Sequence, residues 1–189
     1  MENVFVPMPL PKTVFLRMQG RSYPQDCGCA AEDLRYFTVR HYDFAGAVRT
    51  GELVCAAALA DELCGIFYRL YRARYPLAAV RLVDDFDADD ERSMAANNSS
   101  CFNWRVIKGT NRLSAHSLGR AVDINPLFNP YINRFGIDPP GAACYADRTK
   151  NFAGKIDHDD LCFKLFTQYS WEWGGDWQDY QDYQHFEKR

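Results

Sequence analysis

Apolar residues along this chain recur at two spacings, and these predict its elements. Leu59, Leu63, Ile66, Phe67 and Leu70 fall at steps of three and four, which predicts an amphipathic helix from about Cys55 to Tyr75. Arg69, Arg72 and Arg74 form its wet side, and Pro76 stops it. Leu161, Leu165, Phe166 and Tyr169 predict a second helix, with Asp157 as its N-cap. The aromatic and β-branched run Tyr36 to Tyr42 predicts a strand, and the short apolar run Leu77 to Val83 a buried one. From Cys101 to Ile107, Phe102, Trp104 and Val106 alternate with Asn103, Arg105 and Ile107, again the period of a strand. In the strand predicted over Ala121 to Asn125, Val122 and Ile124 point one way and Asp123 and Asn125 the other.

The connections are also legible. Pro7, Pro9 and Pro11 make the start an extended arm, so residues 1–35 read as arm and loop and 36–189 as the domain. The run Asp84 to Glu91 lacks the glycine and terminal glutamate of a calcium-binding loop and is expected to be a solvated or locally capping loop. Pro126 to Gly154 reads as a long irregular region of the kind that lines a site, and a Trp/Gly-rich turn leads into a final strand around His185. Mixed helices and short strands without βαβ regularity predict a single α+β domain, a small mostly antiparallel sheet with flanking helices.

Composition narrows the partners. A chain of 189 residues with 22 basic and 25 acidic side chains and a net charge of −3 carries no cationic block for nucleic acid or a membrane surface. No apolar run approaches the roughly 20 residues of a membrane span, and the start lacks a basic region ahead of an apolar one. The seven cysteines are odd in number and contain no CxxC pair. Cys55, Cys64 and Cys162 are expected as buried thiols in helical surroundings. Cys27 and Cys29 are weak metal candidates, and pairing among Cys27, Cys29, Cys101 and Cys144 stays open.

The chemistry concentrates in Ser114-Ala115-His116-Ser117-Leu118-Gly119-Arg120-Ala121-Val122-Asp123 and in Asp182-Tyr183-Gln184-His185-Phe186-Glu187. Two imidazoles and a carboxylate, His116, Asp123 and His185, match the three ligands of a catalytic zinc that keeps one open position. Asp182 would serve as general base, provided that the chain turns through Tyr183 and Gln184, because in a continuous strand Asp182 and His185 would face opposite sides. Glu172 and Asp176 are rival acids. Glu187 either orients His185 or is a surface acid. His41 and His158, the other two of the four histidines, are weak ligand candidates: Asp43 lies near the first, and the acids around the second are ordinary capping and dipole groups of a helix start. The same ligand set could hold Fe(II), although two amphipathic helices are unlike the all-β oxygenase barrels.

The motif Ser114-x-His116-x-x-Gly119-x-Ala121-x-Asp123, with Asp182-x-x-His185, resembles the signature of the zinc D-alanyl-D-alanine carboxypeptidase family, which includes VanY-like peptidases, L-alanyl-D-glutamate endopeptidases and phage endolysins. Trp173-Gly174-Gly175-Asp176-Trp177 is similar to the endopeptidase branch, and matches run from about residue 36 to the end. The resemblance implies a Hedgehog/DD-peptidase type of fold, Zn2+ held by His116, Asp123 and His185, and Asp182 as acid/base. It further implies a peptidoglycan peptide as substrate and a periplasmic or extracellular place in the cell envelope. The family's oxyanion arginine lacks its usual Gly-Tyr-Arg setting here; Arg105 is the first candidate and Arg92 the second. Carboxypeptidase, endopeptidase and a non-catalytic wall-binding module all remain as readings.

Overall fold

The computed structural model describes residues 4–189, so the first three residues of the expected arm, Met1 to Asn3, lie outside the described residues. The rest of that arm is folded. After β1 (Met8–Pro9) comes α1 (Lys12–Met18), which buries Val14 and Met18, one helical turn apart. The three prolines do not oppose this helix, because the last of them, Pro11, occupies its N-cap and leaves the following seven residues free of breakers. Val14 and Met18 pack with Leu34, Val54, Leu82 and Phe102 in a second, smaller core.

Strands β2 (Leu34–Tyr42) and β3 (Val48–Ala56) form an antiparallel hairpin in register from Leu34 opposite Ala56 to Tyr42 opposite Val48. The turn is held by Asp43, whose Oδ1 accepts from the amides of Ala45 and Ala47. Sequence periodicity missed β3 and placed Cys55 in the helix. The strand begins with three exposed residues, Val48, Arg49 and Thr50, and Glu52 follows, so this half shows no apolar alternation that announces a buried face. Cys55 is buried, but in a strand. Helix α2 (Ala60–Arg72) then buries Leu63, Ile66, Phe67 and Leu70 as its spacing predicted, and ends well before Pro76.

Only β4 (Ala79–Val80) of the apolar run Leu77 to Val83 is a strand. The acidic segment beyond it takes the locally capping form instead of a solvated loop: a 3-10 turn over Val83–Phe86 leads to α3 (Asp90–Ala95), capped by Asp89, which accepts from the amide of Arg92. Asp84 is buried and accepts from both the amide and the hydroxyl of Ser22. β5 (Asn98–Ser99) runs parallel to β4. The expected strand from Cys101 to Ile107 reduces to a single bridge between Val106 and Leu113. Its amides are spent on separate partners, Phe102 on Val54, Asn103 on His116 and Trp104 on Ser22, so no ladder can form.

β6 (Ala121–Asp123) stops early because Asn125 has φ +46 and turns its side chain to the amide of Ala78 and the carbonyl of Pro76. The region expected to be irregular contains a hairpin of β7 (Tyr131–Asn133) and β8 (Gly136–Asp138) and a 3-10 segment over Pro140–Tyr145. It is pinned by Arg148, which donates to the carbonyls of Phe128 and Ile156 and to Asn129 Oδ1, and lies over the Tyr183 ring at 4.3 Å. Helix α4 (Leu161–Gln168) is capped by Asp160, not Asp157. Cys162, Leu165 and Phe166 form its buried face, and Leu161 is exposed.

The chain closes with β9 (Glu172–Trp173), β10 (Gln181–Asp182) and β11 (His185–Glu187). Among the described residues the single sheet that the sequence suggested is thus divided into three antiparallel sheets, ordered β1-β2-β3, β10-β7-β8 and β6-β11-β9, besides the β4-β5 pair. The class is α+β as expected. The main core joins α2, α4 and the inner face of β6 and β11, where Phe186 stacks on Phe166 at 4.3 Å and Val122 is fully buried. All seven cysteines are free.

Candidate metal centre

β6 and β11 pair antiparallel with His185 directly opposite Asp123 and Phe186 opposite Val122. Side chains alternate across a strand, so Val122 and Phe186 enter the core while Asp123 and His185 meet on the other face. His185 Nδ1 lies 3.1 Å from Asp123 Oδ1.

His116 comes from the 3-10 turn Ala115–Leu118, whose cap Ser114 accepts from the amide of His116. Gly119 ends the turn with φ +63, and a Cβ there would strike the Ala56 amide nitrogen and sit 2.8 Å from the Cys55 carbonyl carbon. The turn is therefore pressed against the end of β3, with the Ala56 amide donating to the Gly119 carbonyl. This places His116 Nε2 3.2 Å from His185 Nδ1 and 3.2 Å from Asp123 Oδ2. Among the described residues these three form the one group of side chains whose donor atoms gather closely enough to hold a metal, and all three are buried.

Proton positions show what the cluster requires. The Cys101 carbonyl can only accept, so the 2.6 Å contact puts a proton on His116 Nδ1 and leaves Nε2 with its lone pair toward the centre. His185 Nε2 stands 3.3 Å from Glu187 Oε2, which likewise claims the outward proton. Two imidazole lone pairs and a carboxylate oxygen then converge, a donor set that fits a divalent cation such as zinc. Without one, a proton must take its place. Burial opposes charge on His185, but hydrogen bonds to Asp123 and Glu187 raise its pKa to about 10. Asp123 is also opposed by burial, yet the two histidines hold its carboxyl well below the usual range. Glu187 is held down by its bond to His185.

Asp182 lies in β10, which pairs with β7 in another sheet, and the chain breaks at Tyr183 and Gln184 before β11 begins. The turn that brings Asp182 to the same side as His185 is therefore present. Its Oδ1 is buried without a hydrogen-bond partner. Burial, reinforced by the Asp123 charge and opposed by His185, pushes the carboxyl up to about 7. Gly174 packs tightly here, since a Cβ at that position would lie 2.7 Å from the Asp182 carbonyl oxygen. Trp177 covers the His185 ring at 5.3 Å.

The rival acids sit elsewhere: Glu172 is exposed, and Asp176 bonds to the exposed His158 at 2.7 Å. His41 is buried alone on β2, with Nδ1 unpartnered. Arg92 pairs with the exposed Asp87 at 2.7 Å, whereas Arg105 is partly buried and pairs with Asp90 at 2.8 Å. Asp90 shares the electrostatic field of Asp123 and His116. It is the neighbour that sequence reading missed, hidden in a run of acids.

Residues 108–188 match the family model of D-alanyl-D-alanine carboxypeptidase. This part of the chain is similar to that peptidase family. The matched stretch contains His116, Asp123, Asp182 and His185 and begins just after Arg105, so both ends of the candidate site fall within the match. Comparison with curated proteins and with solved structures gave no match. No helix among the described residues is long and apolar enough to cross a membrane.

Proposed function

We propose that the protein is a zinc-dependent peptidase that hydrolyses an amide bond in peptidoglycan stem peptides, of the D-alanyl-D-alanine carboxypeptidase type. The observation that carries this reading is the convergence of three buried donor atoms beside a carboxyl whose inner oxygen has no partner. His116, Asp123 and His185 would hold the metal, oriented by the Cys101 carbonyl and by Glu187. When bound, zinc supplies Lewis-acid polarisation and an acidified water. Asp182 takes the proton released by the attacking water and returns it to the amine nitrogen as the C–N bond breaks. Arg105, whose buried Nε–H has no partner, donates to the developing oxyanion. A substrate of this kind places the protein in the cell envelope.

One observation favours the endopeptidase reading. The partly buried Arg105 is already matched by Asp90, which weakens its attraction for a free terminal carboxylate. Digestion of purified peptidoglycan followed by mass spectrometry separates the two: free D-alanine marks the carboxypeptidase, and larger peptide fragments mark the endopeptidase. Asp182→Ala is the control. Equal product from wild type and control would reject the hydrolytic mechanism.

A further inference from the structure

Arg105 is fixed from two directions. Its backbone is clamped to the turn that carries His116: its amide donates to Ser117 Oγ at 2.9 Å, Ser117 Oγ donates back to its carbonyl at 2.7 Å, and the Ser114 amide donates to the same carbonyl at 3.0 Å. Its side chain is held by one partner, Asp90, through Nη2 to Oδ2 at 2.8 Å. These side chains are 28% and 30% exposed, so the pair is neither a loose surface contact nor sealed in the core. A guanidinium offers five N–H donors in a fixed plane, and gripping one edge sets the direction of the rest. Among the remaining donors, Nε–H is buried and has no protein partner.

Asp90 itself has little freedom. It is the first residue of α3, directly after the capping Asp89, and the helix is anchored by buried Ser93, whose hydroxyl accepts from Asn98 Nδ2. The chain thus spends a partly buried carboxylate, within the field of Asp123 and His116, on aiming one arginine. The Asp123 charge opposes ionisation of Asp90 and the Arg105 guanidinium favours it, so the carboxylate at this position is tied to the arginine that it grips.

We propose that Asp90 is a positioning residue, which orients the Arg105 guanidinium so that its Nε–H faces the reacting carbonyl of the substrate. This rests on the peptidase reading for the identity of that carbonyl. The orientation itself does not, and it can be observed without turnover.

The test uses Asp90→Asn, Asp90→Glu, Arg105→Ala and the Asp90→Asn/Arg105→Ala double variant of the full chain. In metal-free protein the Nε–H signal of Arg105 is followed by nitrogen-15 NMR, assigned through its loss in Arg105→Ala. Asp90→Asn is expected to move or broaden that signal. In zinc-loaded protein Asp90→Asn should lower kcat on the order of tenfold to a hundredfold, with KM and bound zinc unchanged, as expected when a catalytic donor is misplaced. Asp90→Glu should recover part of the loss, and Asp90→Asn should cost nothing further once Arg105 is alanine. An unmoved Nε–H signal, or an equal fold-loss in both backgrounds, overturns the proposal. If Asp90→Asn does not fold, Asp90→Glu carries the same NMR and cycle comparison. If the wild type cleaves no wall peptide, the peptidase reading falls, while the NMR comparison still decides the role of Asp90.

Discussion

His116 Nε2 and His185 Nδ1 lie 3.2 Å apart although 69 positions separate them in the chain. Each ring has its outer nitrogen engaged, by the Cys101 carbonyl and by Glu187, so the inner nitrogens face each other as acceptors. The contact holds only if a cation or a proton lies between them and Asp123.

Metal binding should therefore release at least one proton. His185 carries a proton up to about pH 10 in the metal-free protein, so across neutral pH each added pH unit should strengthen zinc binding about tenfold. Competition titrations with a chromophoric chelator at several pH values check this slope. A flat dependence would contradict the proton-filled cluster.

The same cluster gives a stability window. A pKa raised on folding contributes stability that is fully present below the unfolded histidine value near 6.5 and is lost as pH rises through the folded value of about 10. Asp123, depressed on folding, works in the opposite sense, and its contribution is lost as pH falls through the acidic range. Metal-free protein should lose thermal stability from about pH 6.5 to 10, and zinc-loaded protein should show less of this alkaline loss. Melting curves with and without chelator test the difference.

Glu187→Gln keeps a hydrogen-bond acceptor but removes the charge that holds the His185 ring. Zinc affinity is expected to fall about 10- to 100-fold, the usual cost of removing such a partner. An unchanged affinity would make Glu187 an ordinary surface acid.

Asp182→Asn should abolish most turnover while leaving zinc stoichiometric. In the wild type the acidic limb of kcat/KM should lie at or below pH 7, because burial pushes this carboxyl up to about 7 in the metal-free protein and a nearby cation would pull it back down. The base form is needed, so activity falls as pH drops. A pH–rate profile of wild type with no acidic limb between pH 4 and about 7 would count against Asp182 as the base.

Gly119→Ala should destabilise the fold by about 1–3 kcal/mol or more, since alanine at φ +63 is strained and its Cβ strikes the end of β3. Any relief shifts the turn that carries His116, so zinc affinity should fall along with the denaturation midpoint.

Elements that their own side chains define are legible along the chain. Helix α2 is legible because Leu63, Ile66, Phe67 and Leu70 repeat with its period, and His116, Asp123, Asp182 and His185 are legible as candidates because their residue types, in two short motifs, are those that a metal site uses. Other features depend on partners distant in the chain. β3 exists as the mate of β2, and α1 forms because Val14 and Met18 find Leu34, Val54 and Phe102. Asp84 is buried because Ser22 is there to satisfy it, and Asp90 stands out from its acidic neighbours only because Arg105 meets it. Local patterning records which face of a segment is apolar. Which strand it pairs with, and which charge faces which, is set by long-range packing that no short window of sequence contains.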